Sequence, residues 1–127
     1  MISRSTNDNN PWFDVEKNDY VAGQFLWAGI DYPGESEGWP AKGWGASLMD
    51  TTGFRKDRSY WHQSVWSDKP MVHIAVFDDS IEDYPQKKMW DWPKIRSHWS
   101  FPGREKQPLK LATYSNCEAV GALPLSP

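Results

Sequence analysis

Apolar residues occur in short groups along this chain, and the first group ends at Trp27. Residues 21–27 read Val-Ala-Gly-Gln-Phe-Leu-Trp, with apolar side chains on both faces of the segment. This pattern is typical of a buried parallel strand and predicts a strand near residues 21–28, followed by a polar turn that contains Asp31. Six glycines and prolines between residues 33 and 45 then predict a long loop, the kind of segment in which binding residues often lie.

A helical pattern follows this loop. Phe54, Trp61 and Val65 recur at heptad-like spacing and form one apolar stripe, which predicts a helix over residues 54–66. Pro70 lies shortly after the last of these positions, where a helix commonly ends.

Beyond Pro70 the apolar period changes to two. Val72, Ile74 and Val76 alternate with other side chains, and the same alternation occurs over residues 109–115. This period predicts strands over residues 71–77 and 109–115. The whole pattern therefore predicts a mixed α/β chain.

Charge and cysteine content exclude several classes of function. The net charge of −3 and the pI near 5.5 argue against a nucleic-acid or membrane-surface partner. No run of 18 apolar residues occurs, so no membrane span is predicted. The single cysteine, Cys117, excludes an internal disulfide and matches no metal-site spacing.

Nine tryptophans are the compositional outlier. One explanation is that large rings fill a small core, since each buries about 150–250 Å². The other is sugar binding, in which the apolar face of a pyranose stacks on a ring. Trp27 stands apart because it ends an apolar segment just before a polar turn.

Two segments resemble glycoside hydrolase family 2, the β-galactosidase and β-glucuronidase family. The first is Phe25-Leu26-Trp27 with Gly29-Ile30-Asp31-Tyr32, which resembles the last strand of the family's barrel. The second, residues 53–66, resembles the helix that follows this strand. His98-Trp99 and Tyr114-Ser115-Asn116 look like the start of the immunoglobulin-like domain that comes next in the family.

This resemblance implies a fragment of a larger enzyme. Residues 1–70 would be the last β/α unit of a (β/α)8 TIM barrel, and residues 71–127 the first strands of an immunoglobulin-like β-sandwich. A complete barrel needs about 250 residues, so it does not fit into 127.

The resemblance also implies a sugar-binding role for Trp27. Its counterpart in the family forms the floor of the subsite that holds the sugar being cleaved, and the peptide bond after it is often cis in related barrels. Asp31 would be a hydrogen-bonding scaffold residue at the edge of this site. Trp39 and Trp44 would line outer subsites, or else pack in the core or a lid. The partner implied for the longer enzyme is a β-galactoside-like carbohydrate.

No catalytic residue is predicted in this chain. Retaining glycosidases need two carboxylates about 5–5.5 Å apart, and in this family both come from earlier barrel strands. The family's Asn-Glu pair does not occur here. Asp31, Glu35 and Glu37 are close in sequence, but one strand and its loop do not enclose a site that excludes water. The isolated chain is therefore predicted to be inactive.

No metal or cofactor is predicted either. His62 lies in the predicted helix without a second ligand one turn later, so an exposed or packing histidine is favoured over a metal ligand. The sequence leaves the localisation unknown, and a periplasmic or secreted longer protein stays open.

The last residues depart from the family pattern. Family members continue after a valine such as Val120 with a strand of the type Glu-Leu-Phe-Leu-Asn-Gly, whereas residues 121–127 contain two prolines, which do not suit a central strand. One inserted base converts codons for Glu-Leu-Phe-Leu into codons that fit Gly-Ala-Leu-Pro-Leu. This predicts a frameshifted end, and a natural loop-like terminus is the alternative.

A second class of function is a free-standing carbohydrate-binding or interaction module that uses tryptophan stacking. Such a module is expected to be an all-β sandwich with evenly spaced strands. The predicted order of strand, long loop and helix favours the enzyme fragment instead.

Overall fold

A computed structural model describes residues 11–36, 39, 42–78 and 92–122. These residues form a mixed α/β structure, as the sequence predicts. The described residues divide into two compact units: those up to Phe54 are called here the N-terminal unit, and those from Arg55 onward are called the C-terminal unit. The elements in chain order are α1 (Trp12–Lys17), β1 (Tyr32–Pro33), β2 (Gly43–Trp44), α2 (Asp57–Trp66), β3 (Val72–Phe77), β4 (Ile95–Arg96) and β5 (Leu111–Ser115).

The C-terminal unit is built on an antiparallel sheet of three strands. The central strand is β3, with β4 on one side and β5 on the other. The register pairs His73 with Tyr114 and Ala75 with Ala112, so these four residues share one face of the sheet. Helix α2 contacts β3 and β5.

The core of the C-terminal unit lies between α2 and this sheet face. Its buried apolar side chains include Trp61, Ala75, Ala112 and Tyr114, each at most 5% exposed. Trp92 joins them, with its ring 5.9 Å from that of Trp61. A small helix-on-sheet unit buries little area, so large rings supply much of it.

Asp57 links the start of α2 to the sheet. Its Oδ1 atom lies 2.8 Å from His73 Nε2 and accepts a 2.6 Å hydrogen bond from Ser97 Oγ. Burial raises the pKa of the Asp57 carboxyl, but the bonds from His73 and Ser97 outweigh this effect and lower it below its ordinary value. The ring of Tyr60, also in α2, stacks on the His73 ring, with centroids 3.8 Å apart.

The side chain of Asn116 fastens the segment between α2 and β3. Its Nδ2 atom donates to the carbonyl oxygens of Ser67 at 2.6 Å and Lys69 at 2.8 Å, and its Oδ1 accepts from Met71 N at 2.9 Å. These bonds connect positions 45–49 residues apart in sequence. The backbone groups of an irregular segment are thereby satisfied without a strand.

The N-terminal unit contains little regular structure. The predicted strand over residues 21–28 is wrong: these residues belong to no ladder among the described residues. A strand needs a series of hydrogen bonds to a neighbour, whereas the 3.1 Å bond from Leu48 N to the Ala28 carbonyl lies at the very end of this segment. Phe25 is fully exposed as a result. The sheet of this unit is a two-residue antiparallel ladder between β1 and β2, inside the predicted loop.

A short helix, α1, was not predicted from the sequence. Pro11 precedes its first residue, where its fixed φ suits a helix start. Asp14 lies in the first turn and Lys17 in the last, which matches the helix dipole. The asparagine and proline residues before it favour a turn, so the sequence pattern gives no indication of this helix.

The predicted elements of the C-terminal unit are confirmed with shorter limits. The helix expected over residues 54–66 is α2, which starts at Asp57 and leaves Phe54 exposed. The strands expected over residues 71–77 and 109–115 are β3 and β5. Strand β4 was not predicted, because its two residues carry no periodicity.

The assignment of residues 1–70 and 71–127 to two domains of a longer protein stays a prediction. Most of the unusual C-terminal sequence, residues 123–127, lies outside the described residues.

Candidate functional site

Trp27 is an exposed ring of the predicted site whose indole nitrogen has a hydrogen-bond partner. Its side chain is 60% exposed. The peptide bond between Trp27 and Ala28 is cis, as the family resemblance implies. The indole Nε1 donates a 2.8 Å hydrogen bond to the hydroxyl of Tyr32. The two rings meet edge to face, with centroids 6.4 Å apart and an interplanar angle of 86°.

The Tyr32 hydroxyl passes the hydrogen bond on. It donates to the carboxylate oxygen Oε2 of Glu35 in a short contact. This bond favours the protonated phenol and raises the pKa of Tyr32 above its ordinary value, while the indole donor of Trp27 acts in the opposite direction. Trp27, Tyr32 and Glu35 thus form one hydrogen-bonded chain, called here the indole–phenol–carboxylate chain.

The sequence by itself does not identify the role of Tyr32 in the indole–phenol–carboxylate chain. In the sequence, Tyr32 is only part of a family motif, and Glu35 is only one of three neighbouring acids. The signal in the sequence is the glycine between them, Gly34. Its φ is 112°, a conformation that favours glycine and allows a turn here. This turn brings side chains at positions 32 and 35 to the same place, which composition and period do not reveal.

Strands β1 and β2 hold Tyr32 in position. The register pairs Tyr32 with Trp44 and Pro33 with Gly43. A Cβ atom at Gly43 would overlap the carbonyl group of Tyr32, so the close approach of the two strands requires glycine there. Trp44 is half-buried and lies directly across the ladder from Tyr32, whose ring contacts Trp27.

Asp31 lies where its backbone and side chain both join residues 47–49. Its Oδ1 accepts a 3.0 Å hydrogen bond from the backbone N–H of Ser47, which is completely buried. Its own N–H donates to the Met49 carbonyl at 2.9 Å, next to a parallel bridge between Ile30 and Met49. These contacts are what a scaffold role for Asp31 requires.

The structure does not bring Trp39 into this group. It is 86% exposed, and several of its sequence neighbours lie outside the described residues. Among the predicted site residues, Trp27 contacts the Tyr32 ring, Trp44 pairs with Tyr32 across the ladder, and Asp31 is bonded to Ser47 N, whereas Trp39 stands in the loop.

The described acids of this segment, Asp31 and Glu35, have different hydrogen-bond partners. The Asp31 side chain accepts from Ser47 N, whereas the Glu35 side chain accepts from Tyr32. Glu37 lies outside the described residues.

His62 is a packing residue, which is one of the two roles that the sequence favours over metal binding. It is 3% exposed, and its ring centroid lies 4.8 Å from each of the Trp61 and Trp66 rings. Burial, together with the positive charge of Arg58, lowers the pKa of His62 to about 4.

The described residues contain neither a group of metal-ligating side chains nor a membrane-spanning helix. Their histidines, cysteines and acids do not gather in threes as metal ligands would. No helix among them has the length and apolar character needed to cross a bilayer.

Comparison with known proteins identifies similar enzymes. No protein-family model matches the chain. The β-galactosidase BoGH2A of Bacteroides ovatus is 44% identical over 62 residues, which are 47% of this chain and 7% of that protein. A putative β-glucuronidase of Formosa agariphila is 36% identical over 67 residues, which are 50% of this chain and 6% of that protein.

Two solved structures are also similar, both of glycosyl hydrolase family 2 members from Bacteroides cellulosilyticus. One superposes with a TM-score of 0.71 at 34% identity and covers 84% of this chain and 16% of that chain. The other, from strain DSM 14838, has a TM-score of 0.65 at 33% identity and covers 84% of this chain and 13% of that chain. The chain therefore resembles glycoside hydrolases of family 2 in sequence and structure, over a small part of their length.

Proposed function

We propose that this chain, given its similarity to family 2 glycosidases, is part of a retaining β-galactosidase-like glycoside hydrolase and supplies an aromatic wall of its sugar-binding site. The observation that carries the proposal is the Trp27 side chain, which is 60% exposed yet held by a hydrogen bond at its Nε1 atom. An ordered, exposed ring suits stacking on the apolar face of a sugar. A ring that only filled the core would be buried.

The remaining candidates take supporting roles in this proposal. Trp44, across the ladder from Tyr32, extends the aromatic surface, and Asp31 braces its edge through Ser47 N. Trp39, which is exposed in the loop, contributes an outer subsite. The substrate class is a β-galactoside-like carbohydrate, a neutral sugar with one apolar face.

The proposed setting of this wall is the rim of a barrel. Residues 1–70 would be the last β/α unit of a TIM barrel, in which active sites form at the carboxyl ends of the strands. Residues 71–127 would begin the immunoglobulin-like domain that follows. The segment over residues 21–27 would gain hydrogen-bonding neighbours in such a barrel, which accounts for its strand-like sequence and its irregular backbone here.

The catalytic carboxylates of this enzyme would lie outside the present chain. The described acids that follow Trp27 in this segment, Asp31 and Glu35, accept hydrogen bonds from Ser47 N and from the Tyr32 hydroxyl. We expect the isolated chain to hydrolyse nitrophenyl β-galactoside no faster than a blank. Hydrolysis that depends on Glu35 or Glu37 would contradict this assignment.

A graft tests the wall directly. Residues 11–122 replace the corresponding part of the B. ovatus β-galactosidase, and a smaller graft of residues 20–54 guards against a failure to fold. Both grafts should fold and hydrolyse nitrophenyl β-galactoside, and Trp27→Ala should then lower kcat/KM. A graft that folds without activity, or that keeps full activity as Trp27→Ala, would refute the proposed function.

The binding-module alternative has its own outcome in the same experiment. The exposed rings of Trp27 and Trp39 are the observation that favours it. A binding module would bind galactosides as an isolated chain, so an agarose column would retain it. Retention of the isolated chain together with an inactive graft would favour the module over the enzyme part.

A further inference from the structure

The orientation of the Trp27 ring depends on two residues with no assigned role. The indole has one polar hydrogen, on Nε1, and that hydrogen is used by the Tyr32 hydroxyl at 2.8 Å. The Tyr32 hydroxyl also has one hydrogen, and that hydrogen is used by Glu35. The direction of both bonds is therefore determined: indole to phenol, then phenol to carboxylate.

This order makes each bond depend on the next. A phenol oxygen is a better acceptor when its own hydrogen is donated to a carboxylate, because hydrogen bonds in series polarise one another. A bond that ends on an ionised group is also shorter and stronger than a neutral one. Glu35 therefore strengthens the hydrogen bond between Trp27 and Tyr32, although its own hydrogen bond is to Tyr32.

Packing supports the same orientation. The edge-to-face contact between Trp27 and Tyr32 is one of the favoured arrangements of aromatic pairs. Tyr32 is itself held by β1, whose ladder with β2 depends on Gly43. Without the hydrogen bond, a ring that is 60% exposed has few other contacts to select one rotamer.

We propose that Tyr32 and Glu35 are positioning residues, which fix the Trp27 ring in the orientation that a bound sugar stacks against. This inference rests on the proposed function and adds to it the device that preorganises the wall. Because Tyr32 takes the indole N–H, Trp27 offers the sugar its ring face and not a hydrogen bond.

The test uses the active graft of residues 11–122 and compares variants that remove single atoms. Tyr32→Phe deletes the hydroxyl but keeps the ring, and we expect kcat/KM to fall about 5- to 10-fold, the loss of one hydrogen bond. Glu35→Ala should lower kcat/KM to a similar extent, whereas Glu35→Gln keeps an acceptor oxygen and should retain most of the rate. Tyr20→Phe is the matched control, since Tyr20 is 86% exposed and lies outside the chain of bonds.

A double-mutant cycle separates positioning from a direct effect of the hydroxyl. Trp27→Phe keeps a stacking ring but has no N–H, so adding Tyr32→Phe to it should cause no further loss. The melting temperature should be the same in all variants, because the deleted groups are exposed.

The outcomes distinguish this inference from the proposed function. If Trp27→Ala loses activity while Tyr32→Phe and Glu35→Ala keep it, the positioning role is refuted and the wall stands. Losses that add in the double variant would also refute positioning, since they would show an independent action of Tyr32. If Trp27→Ala itself keeps full activity, the proposed function fails first.

Discussion

The two units of this chain differ in whether they contain fully buried aromatic rings among the described residues. In the C-terminal unit, Trp61 and Tyr114 are buried between a helix and a sheet. In the N-terminal unit, Tyr20, Phe25 and Trp27 are mostly exposed. Both units are rich in aromatic residues, so composition alone does not distinguish them.

The difference shows what each unit can satisfy from its own residues. The C-terminal unit pairs three strands and covers one sheet face with α2, which buries Trp61 and Tyr114. Among its described residues, the N-terminal unit pairs two short strands, and its longest apolar segment joins no ladder. We infer that the C-terminal unit stabilises itself, whereas the N-terminal unit presents side chains for contacts outside the unit.

Trp61→Ala should have the largest effect on stability. Removing a buried Trp side chain costs about 3–5 kcal/mol through lost burial and a cavity. Hydrogen exchange of the β3 and β5 amides in the isolated chain should therefore accelerate strongly. Trp99→Ala, which removes a ring that is 57% exposed, serves as the control and should change exchange little. An unchanged exchange rate in Trp61→Ala would contradict the assignment of the core.

Trp27→Ala should show the reverse behaviour in the active graft. We expect kcat/KM to fall about 100-fold, or about 2.7 kcal/mol, because the ring would stack on the sugar in the transition state. The melting temperature should change little, since an exposed ring leaves no cavity. The same Trp99→Ala control should retain activity. Loss of activity only through unfolding would break the comparison between the two units.

His62 should make the C-terminal unit sensitive to acid. Its pKa is lowered to about 4 in the folded chain from 6.5, so the unfolded state binds the proton more readily. Stability is therefore complete above pH 6.5 and is lost as the pH falls toward 4, by about 2 kcal/mol at pH 5. Urea unfolding at pH 7 and pH 5 measures this loss.

His62→Leu provides the matched control for this pH effect. The substituted side chain does not titrate, so the stability difference between pH 7 and pH 5 should largely disappear. Asp57, whose pKa is also lowered, acts only at lower pH, as its carboxylate becomes protonated. A pH dependence that persists in His62→Leu would assign the effect to another group.

Asn116→Ala should have the smallest effect of the four, about 1–2 kcal/mol. It removes hydrogen bonds to Ser67, Lys69 and Met71, whose backbone groups are near enough to the surface to find water in part. Asn116→Asp is the informative partner variant, because it keeps the acceptor for Met71 N but loses both donors. Equal destabilisation by both variants would show that the two carbonyl contacts matter most.

Part of this structure was predictable from sequence, and the reason is local. Period-two alternation predicted β3 and β5, and the apolar spacing up to Pro70 predicted α2, because these patterns reflect one buried face. The short strands β1, β2 and β4 span two residues each, too few for a period to appear. The segment before Trp27 carried a strand pattern without strand partners among the described residues.

The candidate site divides in the same way. The sequence by itself placed Trp27 at the end of an apolar segment, and the family resemblance implied its sugar-binding role and the scaffold role of Asp31. Only the tertiary structure decided that Tyr32 and Glu35 hold Trp27, that Trp44 lies across from Tyr32, and that Trp39 stands apart. The physical reason is that hydrogen bonds depend on the path of the turn at Gly34, where side chains several residues apart meet, and residue type alone does not specify that path.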